Sequence, residues 1–300
     1  MSEISPFFYL WNQVTKPDNV PAILILTLTA FYCWLTWKQA KINDERGTPF
    51  EAEQSDKIQV WPNLVRVEFL MSIGVILFLT IWSIYIDAPL EEPANPTLTP
   101  NPSKAPWYFL GLQELLVYFD PWIAGVILPT LIIFGLIAIP YIDVNQKGNG
   151  YYTIKERKFA ISMFAIGFIL LWVSLIVVGT FFRGPGWNLF TPWEYWDAHK
   201  VVPLNNRDFT EIFGIPSRNI DNSYNWVAML FGSIILFAFY SIGIFIWKKY
   251  KDKSIMKELG LIRYATTAFF TLSMGGVIIK ILLRLLFNVK YILATPFFNI

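Results

Sequence analysis

Six stretches of this 300-residue chain are runs of apolar side chains: residues 20–37, 69–86, 122–141, 159–182, 226–247 and 265–287. The first five carry no Asp, Glu, Lys or Arg, and the sixth contains only Lys280 and Arg284. At 1.5 Å of rise per residue, about 20 such residues cross a hydrocarbon core of about 30 Å. The pattern therefore predicts an all-α polytopic membrane protein with about six transmembrane helices. Pro62 falls in the first turn of the second helix, where a missing N–H costs nothing, while Pro129 and Pro140 lie inside the third, where neighbours must satisfy the freed carbonyls. Residues 5–15 are apolar but too short to span, and they read as a segment lying flat at one surface. Residues 38–57 are charged and lack apolar periodicity, so they read as a solvated linker.

The polar segments orient the helices. Residues 38–66, 147–158 and 248–263 are rich in Lys and Arg, whereas residues 87–121 hold Lys104 alone. By the positive-inside rule the basic loops face the cytoplasm, which places segments 87–121 and 183–225 and both termini outside. The four basic residues of 183–225 lessen the contrast, but long loops cross largely regardless of charge. A cysteine introduced near Asn101 is thus expected to react with an impermeant thiol reagent from outside, and one near Gly148 only from inside. The reverse labelling pattern would overturn the orientation.

Composition sharpens this picture. The chain is 55% hydrophobic, 18% aromatic and 15% charged, outside the usual soluble range. The net charge of +2 is scattered over the loops and forms no nucleic-acid-binding face. Residues 1–17 show no cleavable leader pattern, so membrane entry falls to the first span. One cysteine, Cys33, gives no intrachain disulfide and no Cys-x-x-Cys-His haem attachment. A single histidine, His199, cannot supply the two facing imidazoles that hold a membrane haem b. Lys280 and Arg284, one turn apart on one face, either line an interface or snorkel to the nearby surface.

The most informative stretch lies between the second and third spans. Five prolines from Pro93 to Pro106 forbid an ordinary helix there, and none follows until Pro121. A short helix over residues 107–118 is predicted after Pro106, opening with Trp107, Tyr108, Phe109 and Leu110 beside whatever pocket the loop shapes. The same aromatics also read as an interfacial belt. Within residues 107–119 only Gln113 and Glu114 are strongly polar. On a continuous helix Glu114 would lie roughly 20° around the axis from Trp107, two turns on. A carboxylate buried in such an apolar run is a candidate proton acceptor, with Asp120 the other carboxylate nearby. The plainer reading of Glu114 is an ordinary interfacial charge.

Trp61-Pro62-Asn63, the span that follows, Glu92-Pro93-Ala94-Asn95-Pro96 with Thr99-Pro100, then Lys104-Ala105-Pro106-Trp107-Tyr108-Phe109, a span ending Ile139-Pro140-Tyr141 and a third span together resemble the C-terminal part of cytochrome b. In split form this is subunit IV of the cytochrome bf complex. The resemblance covers about residues 60–182 and divides the chain into an N-terminal region 1–60, a three-helix core 61–182 and an appended region 183–300. It implies a subunit without haem that completes an outer-side quinol-oxidation site, Pro106, Trp107, Tyr108, Phe109 and Leu110 lining it. Haem b and an iron-sulfur cluster would sit on partners: an N-terminal cytochrome b chain and a Rieske-type protein. A c-type cytochrome would accept electrons, in a dimeric, lipid-embedded complex of a bacterial energy-transducing membrane. The family's Pro-Glu-Trp-Tyr motif is here Ala105-Pro106-Trp107-Tyr108. Its carboxylate is missing, and Glu114 is the candidate replacement. Rival readings are a transporter or channel subunit, opposed by the lack of paired mid-membrane carboxylates and of an obvious inverted repeat, and a structural anchor of a redox complex.

Overall fold

The computed structural model describes residues 7–47, 59–87, 90, 93–147, 151–202 and 206–300. Glu92 of the proline-rich loop, Gly148 and residues 48–58 of the linker lie outside the described residues. The helices are α1 (Phe8–Thr15), α2 (Val20–Arg46), α3 (Val60–Tyr85), α4 (Leu110–Leu115), α5 (Ile123–Ile142), α6 (Lys158–Phe182), α7 (Trp226–Tyr250) and α8 (Ser254–Phe287). Six of them, α2, α3 and α5 to α8, are long and apolar enough to cross a membrane. Among the described residues β-structure is limited to isolated bridges. The chain is an all-α polytopic membrane protein, and it divides into two compact units, Thr15–Pro100 with Lys147–Lys158, and Met1–Val14 with Asn101–Gln146 and Phe159–Ile300.

The unit containing α2 and α3 corrects the reading of residues 38–57 as a solvated linker. Residues 38–46 contain neither proline nor glycine, so α2 continues to Gly47, whose φ of +75° closes the helix while its N–H bonds to Asn43 O at 3.0 Å. That helix end is docked. The Asn43 amide donates to Tyr152 O at 3.0 Å, and the Asp44 carboxylate accepts from the Ile154 and Lys155 N–H groups, each at 2.9 Å, and from the Thr153 hydroxyl. Charge without periodicity hid this, because a helix end held by polar contacts has no apolar stripe to display. In α3, Trp61 is non-helical and regular winding begins at Val65; none of residues 65–85 is buried, so its apolar surface is left to lipid or other chains.

In the other unit, α8 packs against α5 and α7. Gly135 receives the Phe270 ring, Gly243 faces Ala268 and Leu272, and Tyr240 stacks on Phe269 at 5.7 Å. Small residues of this kind let apolar helices approach closely where lipid supplies no hydrophobic drive. Gly260, at φ +70° and ψ 171°, breaks α8 near its start, so its uninterrupted part runs from residue 261. The loop ends of α5 to α8 are gathered by segments 183–225 and 288–300. There the Phe209 N–H bonds to Tyr291 O at 2.7 Å and the Lys290 N–H to Arg207 O at 2.8 Å.

Lys280 points toward the loop end, as snorkelling to the nearby surface would have it, but stops short of solvent. It is only 2% exposed, its ammonium donating to Lys290 O between the rings of Phe119 and Tyr291. Arg284 donates to Asn206 Oδ1 at 2.5 Å. Both cations are thus directed to the loop end, under the chain's own C-terminal segment.

Candidate functional site

Pro106, in extended conformation (φ −52°, ψ 147°), is followed by a 3-10 turn at Trp107–Phe109 and then by α4. The predicted helix over residues 107–118 is thereby corrected: regular α-winding covers six residues and gives way to turns before Asp120-Pro121. After Leu115 the backbone bonds tighten, Leu116 N–H to Gln113 O and Val117 N–H to Glu114 O, and Pro121 keeps Asp120 from resuming the helix. A 3-10 turn advances about 120° per residue, so the 20° offset between Trp107 and Glu114 does not hold.

The turn and α4 present two faces. Tyr108 is 50% and Phe109 52% exposed, with Trp107 edge-on to Tyr108 at 5.5 Å between ring centroids. Leu110, Gly111, Glu114 and Leu115 point inward. The inward face rests on the end of α6, where Gly111 meets Ile176 and Gly179 lies under Leu110. A Cβ on Gly179 would stand 3.1 Å from Leu110 O, a backbone atom that yields only if α4 moves. Gly179→Val is therefore expected to destabilise the protein by roughly 1–3 kcal/mol, read from thermal unfolding; an unchanged melting profile would show that α4 rides freely on α6.

Glu114 is completely buried, and all its visible partners are donors. Arg183 grips it with two N–H bonds, Nε to Oε2 at 2.8 Å and Nη2 to Oε1 at 2.6 Å, while the Tyr118 hydroxyl adds a bond to Oε1 at 2.8 Å. Arg183 Nη1 turns the other way, to Trp187 O at 3.0 Å. Burial opposes the Arg183 charge, but the Glu114 bonds and charge outweigh it and hold the guanidinium above its ordinary pKa. Burial, and after it the Glu114 charge, raise the Tyr118 phenol well above its usual range, so it stays a donor. Around the triad lie Leu115, Phe119, Ile123, Ala124 and Leu175, a dry wall that strengthens the ion pair and makes an unpaired partner costly.

Gln113 fixes the loop before the turn. Its amide nitrogen donates to Ser103 O and its oxygen accepts from the Ala105 N–H, both at 2.9 Å. Lys104 Nζ donates to Thr180 O at 2.9 Å, tying the same loop to α6. Asp120 accepts from the Trp122 N–H at 3.1 Å at the start of α5, and from the Asn299 amide at 3.2 Å. Of the residues expected at the site, Trp107, Tyr108 and Phe109 thus share one turn that flanks a buried Glu114, with Leu110 turned inward. Arg183, Tyr118, Gln113 and Asn299 escaped sequence reasoning. Arg183 alone left a signal, as the first charge after the 24 uncharged residues 159–182.

Residues 93–182, which include the proline-rich loop, the turn, α4, α5 and α6, match the model of the family described as cytochrome b (C-terminal)/b6/petD. The chain carries a cytochrome b C-terminal-type segment. The match begins at Pro93, so residues 60–92, which the resemblance included, lie before it. No solved structure matches this chain. Six helices are long and apolar enough to cross a membrane, and the family match covers residues 93–182 of the 300, so the likeness to cytochrome b is that of this segment. The cytochrome b-type segment ends at Phe182, so the arginine that holds Glu114 is the first residue beyond it.

His199, the one histidine of the 300 residues, is exposed in the 183–225 segment with its backbone N–H bonded to Asp197 Oδ1 at 2.8 Å.

Proposed function

We propose that this protein is the haem-free, cytochrome b C-terminal-type subunit of a bacterial quinol:cytochrome c oxidoreductase. In this reading its Trp107 turn forms one wall of an outer-side quinol-oxidation site. Pro106, Trp107, Tyr108 and Phe109 border the quinol ring, Leu110, turned inward onto Gly179, backs the turn instead of lining the site, and the partner chain closes the other side. Glu114 is the candidate proton acceptor behind that wall. Haem b belongs to an N-terminal cytochrome b partner and the iron-sulfur cluster to a Rieske-type partner, with a c-type cytochrome as acceptor in a dimeric complex of the bacterial inner membrane.

The observation that carries the reading is the arrangement within the family-matched segment: half-exposed aromatic rings on a rigid turn, with a buried, hydrogen-bonded carboxylate one helical turn behind. Flat aromatic faces left open suit a quinone ring, and a carboxylate held in a dry setting suits proton transfer coupled to electron loss. In the structure described, Glu114 has three donors on two oxygens that offer about four lone-pair sites, and Oε2, bonded to Arg183 Nε alone, keeps one for a proton.

Copurification from native membranes tests the assignment. A b-type absorption spectrum and a histidine-rich partner chain are expected, and a haem-free preparation of this chain alone would overturn it. The isolated chain is expected to bind no haem b; stoichiometric bis-imidazole haem on it would refute the division of labour.

A further inference from the structure

The proline-rich loop and α4 have few means of holding their own shape. Proline offers no N–H, and the Gln113 clamp and the Pro106–Phe109 turn bond serve only residues 103–109. The end of α6 carries the inward face of α4 and accepts from Lys104 at Thr180 O, and further ties come from residues 183–300, outside the cytochrome b-type segment. Four ties run along the loop in order. Asn101 Oδ1 accepts from the Gly186 N–H at 2.6 Å, the Lys104 ammonium lies 5.5 Å from the Trp196 ring centroid, Arg183 grips Glu114, and Asn299 donates to Asp120.

The segments that make these ties are themselves braced. Gly184 has no Cβ because the Phe190 ring occupies that place, 2.7 Å from where one would stand, and Phe190 and Trp196 cover the backbone there. Asn299 is fixed by its other amide atom, Oδ1, which accepts from the Thr295 N–H at 3.1 Å. Around it the Ile300 N–H bonds to Leu293 O at 2.9 Å, and Ile292 O packs on Gly232 of α7. Ile300 also packs on the Leu115–Phe119 cluster. Glu114 within α4 and Asp120 after it are therefore held by side chains from elements braced elsewhere.

We infer that residues 183–300 form a built-in cap that positions the Trp107 turn and α4, with Arg183 and Asn299 as positioning residues. The inference deepens the quinol-wall reading and rests on it for the consequence in catalysis, but not for the mechanical claim. An external subunit is then unnecessary for fixing this wall, because the chain carries its own brace.

The test uses the assembled complex with Asn299→Ala and Arg183→Lys. Asn299→Ala leaves the buried ion pair intact, and Arg183→Lys keeps the charge but loses the fork, so the first carries the test if the second fails to assemble. Hydrogen exchange of the peptide covering residues 103–119 reads the cap itself. It is expected to quicken by roughly tenfold in both variants while α7 and the middle of α8 keep their protection. Steady-state oxidation of a short-tailed decyl quinol reads the consequence: a KM raised roughly three- to tenfold with kcat within about twofold for Asn299→Ala. Loss of folded complex would instead lower kcat at constant KM. Unchanged exchange in the assembled variants overturns the cap. Quickened exchange with unchanged KM upholds the cap and removes the Trp107 turn from the quinol site.

Discussion

Glu114→Gln in the assembled complex is expected to lower quinol turnover by roughly 10²-fold, the usual cost of losing a positioned proton-transfer group. The structure dictates how this must be read. Glutamine keeps one acceptor oxygen but replaces the other with an NH2, and because Arg183 bonds both oxygens, one Arg183 N–H meets another donor in either amide orientation. With the NH2 in place of Oε2 the Tyr118 hydroxyl keeps its acceptor, yet the buried guanidinium has lost its counter-charge. A rate loss alone is therefore ambiguous between missing chemistry and a shifted turn. Two readouts separate them. If Glu114 takes the proton, kcat falls, the ionisation limb assigned to this site leaves the pH profile, and KM for a short-tailed quinol stays within a few-fold. If Glu114 only anchors α4, KM rises with the pH profile intact, as expected for Asn299→Ala. Undiminished oxidation with an unchanged pH profile would sink the proton-acceptor assignment and point to a base on the partner chain.

How much of this was legible beforehand follows from what kind of interaction made each part. The six membrane helices are written in runs of apolar residues, because burying backbone polar groups in lipid admits little else. That winding starts only after Pro106 was legible from the five prolines ending there, which is local backbone chemistry, although a helix was expected where a 3-10 turn stands. The length of α4 was not, since the 3-10 start at Trp107 and the turn after Leu115 are set by packing on Gly179 and Ile176 and by the coming Pro121. Residues 38–46 were misread because their helix is held by Tyr152, Thr153, Ile154 and Lys155, more than 100 positions away, through contacts that leave no periodic mark. Glu114 stood out as an unusual polar residue of its run, with burial and an interfacial position both open, and the structure buries it. What it faces was out of reach: Arg183 is 69 positions on. Asn299, neutral and in a short terminal segment, carried no mark. Periodicity shows which way a helix faces, whereas a polar pair between distant segments shows only when the fold brings them together.

The largest effect on stability is expected at the other end of the ion pair. Arg183→Met removes the cation paired with Glu114 and leaves a fully buried carboxylate with, among the described residues, the Tyr118 hydroxyl as its side-chain donor. Stranding one member of a buried pair costs about 3–5 kcal/mol, mostly the penalty of an uncompensated charge. The Trp187 carbonyl loses a donor as well, in the segment that shapes the cap. Replacing both members by apolar or neutral groups of similar size removes the charge that has to be compensated, and such replacements are often close to neutral. Glu114→Gln/Arg183→Met is accordingly expected to be more stable than Arg183→Met alone, although it still lacks the ionisable group and oxidises quinol no faster than Glu114→Gln. Denaturant unfolding of the four proteins, wild type, the two singles and the double, closes the cycle. A coupling of about 2 kcal/mol or more, with the double variant recovering, identifies a buried pair whose members depend on one another. Single losses below about 1 kcal/mol that simply add would mean that water reaches Glu114 in the assembled complex and that the pair is an exposed one.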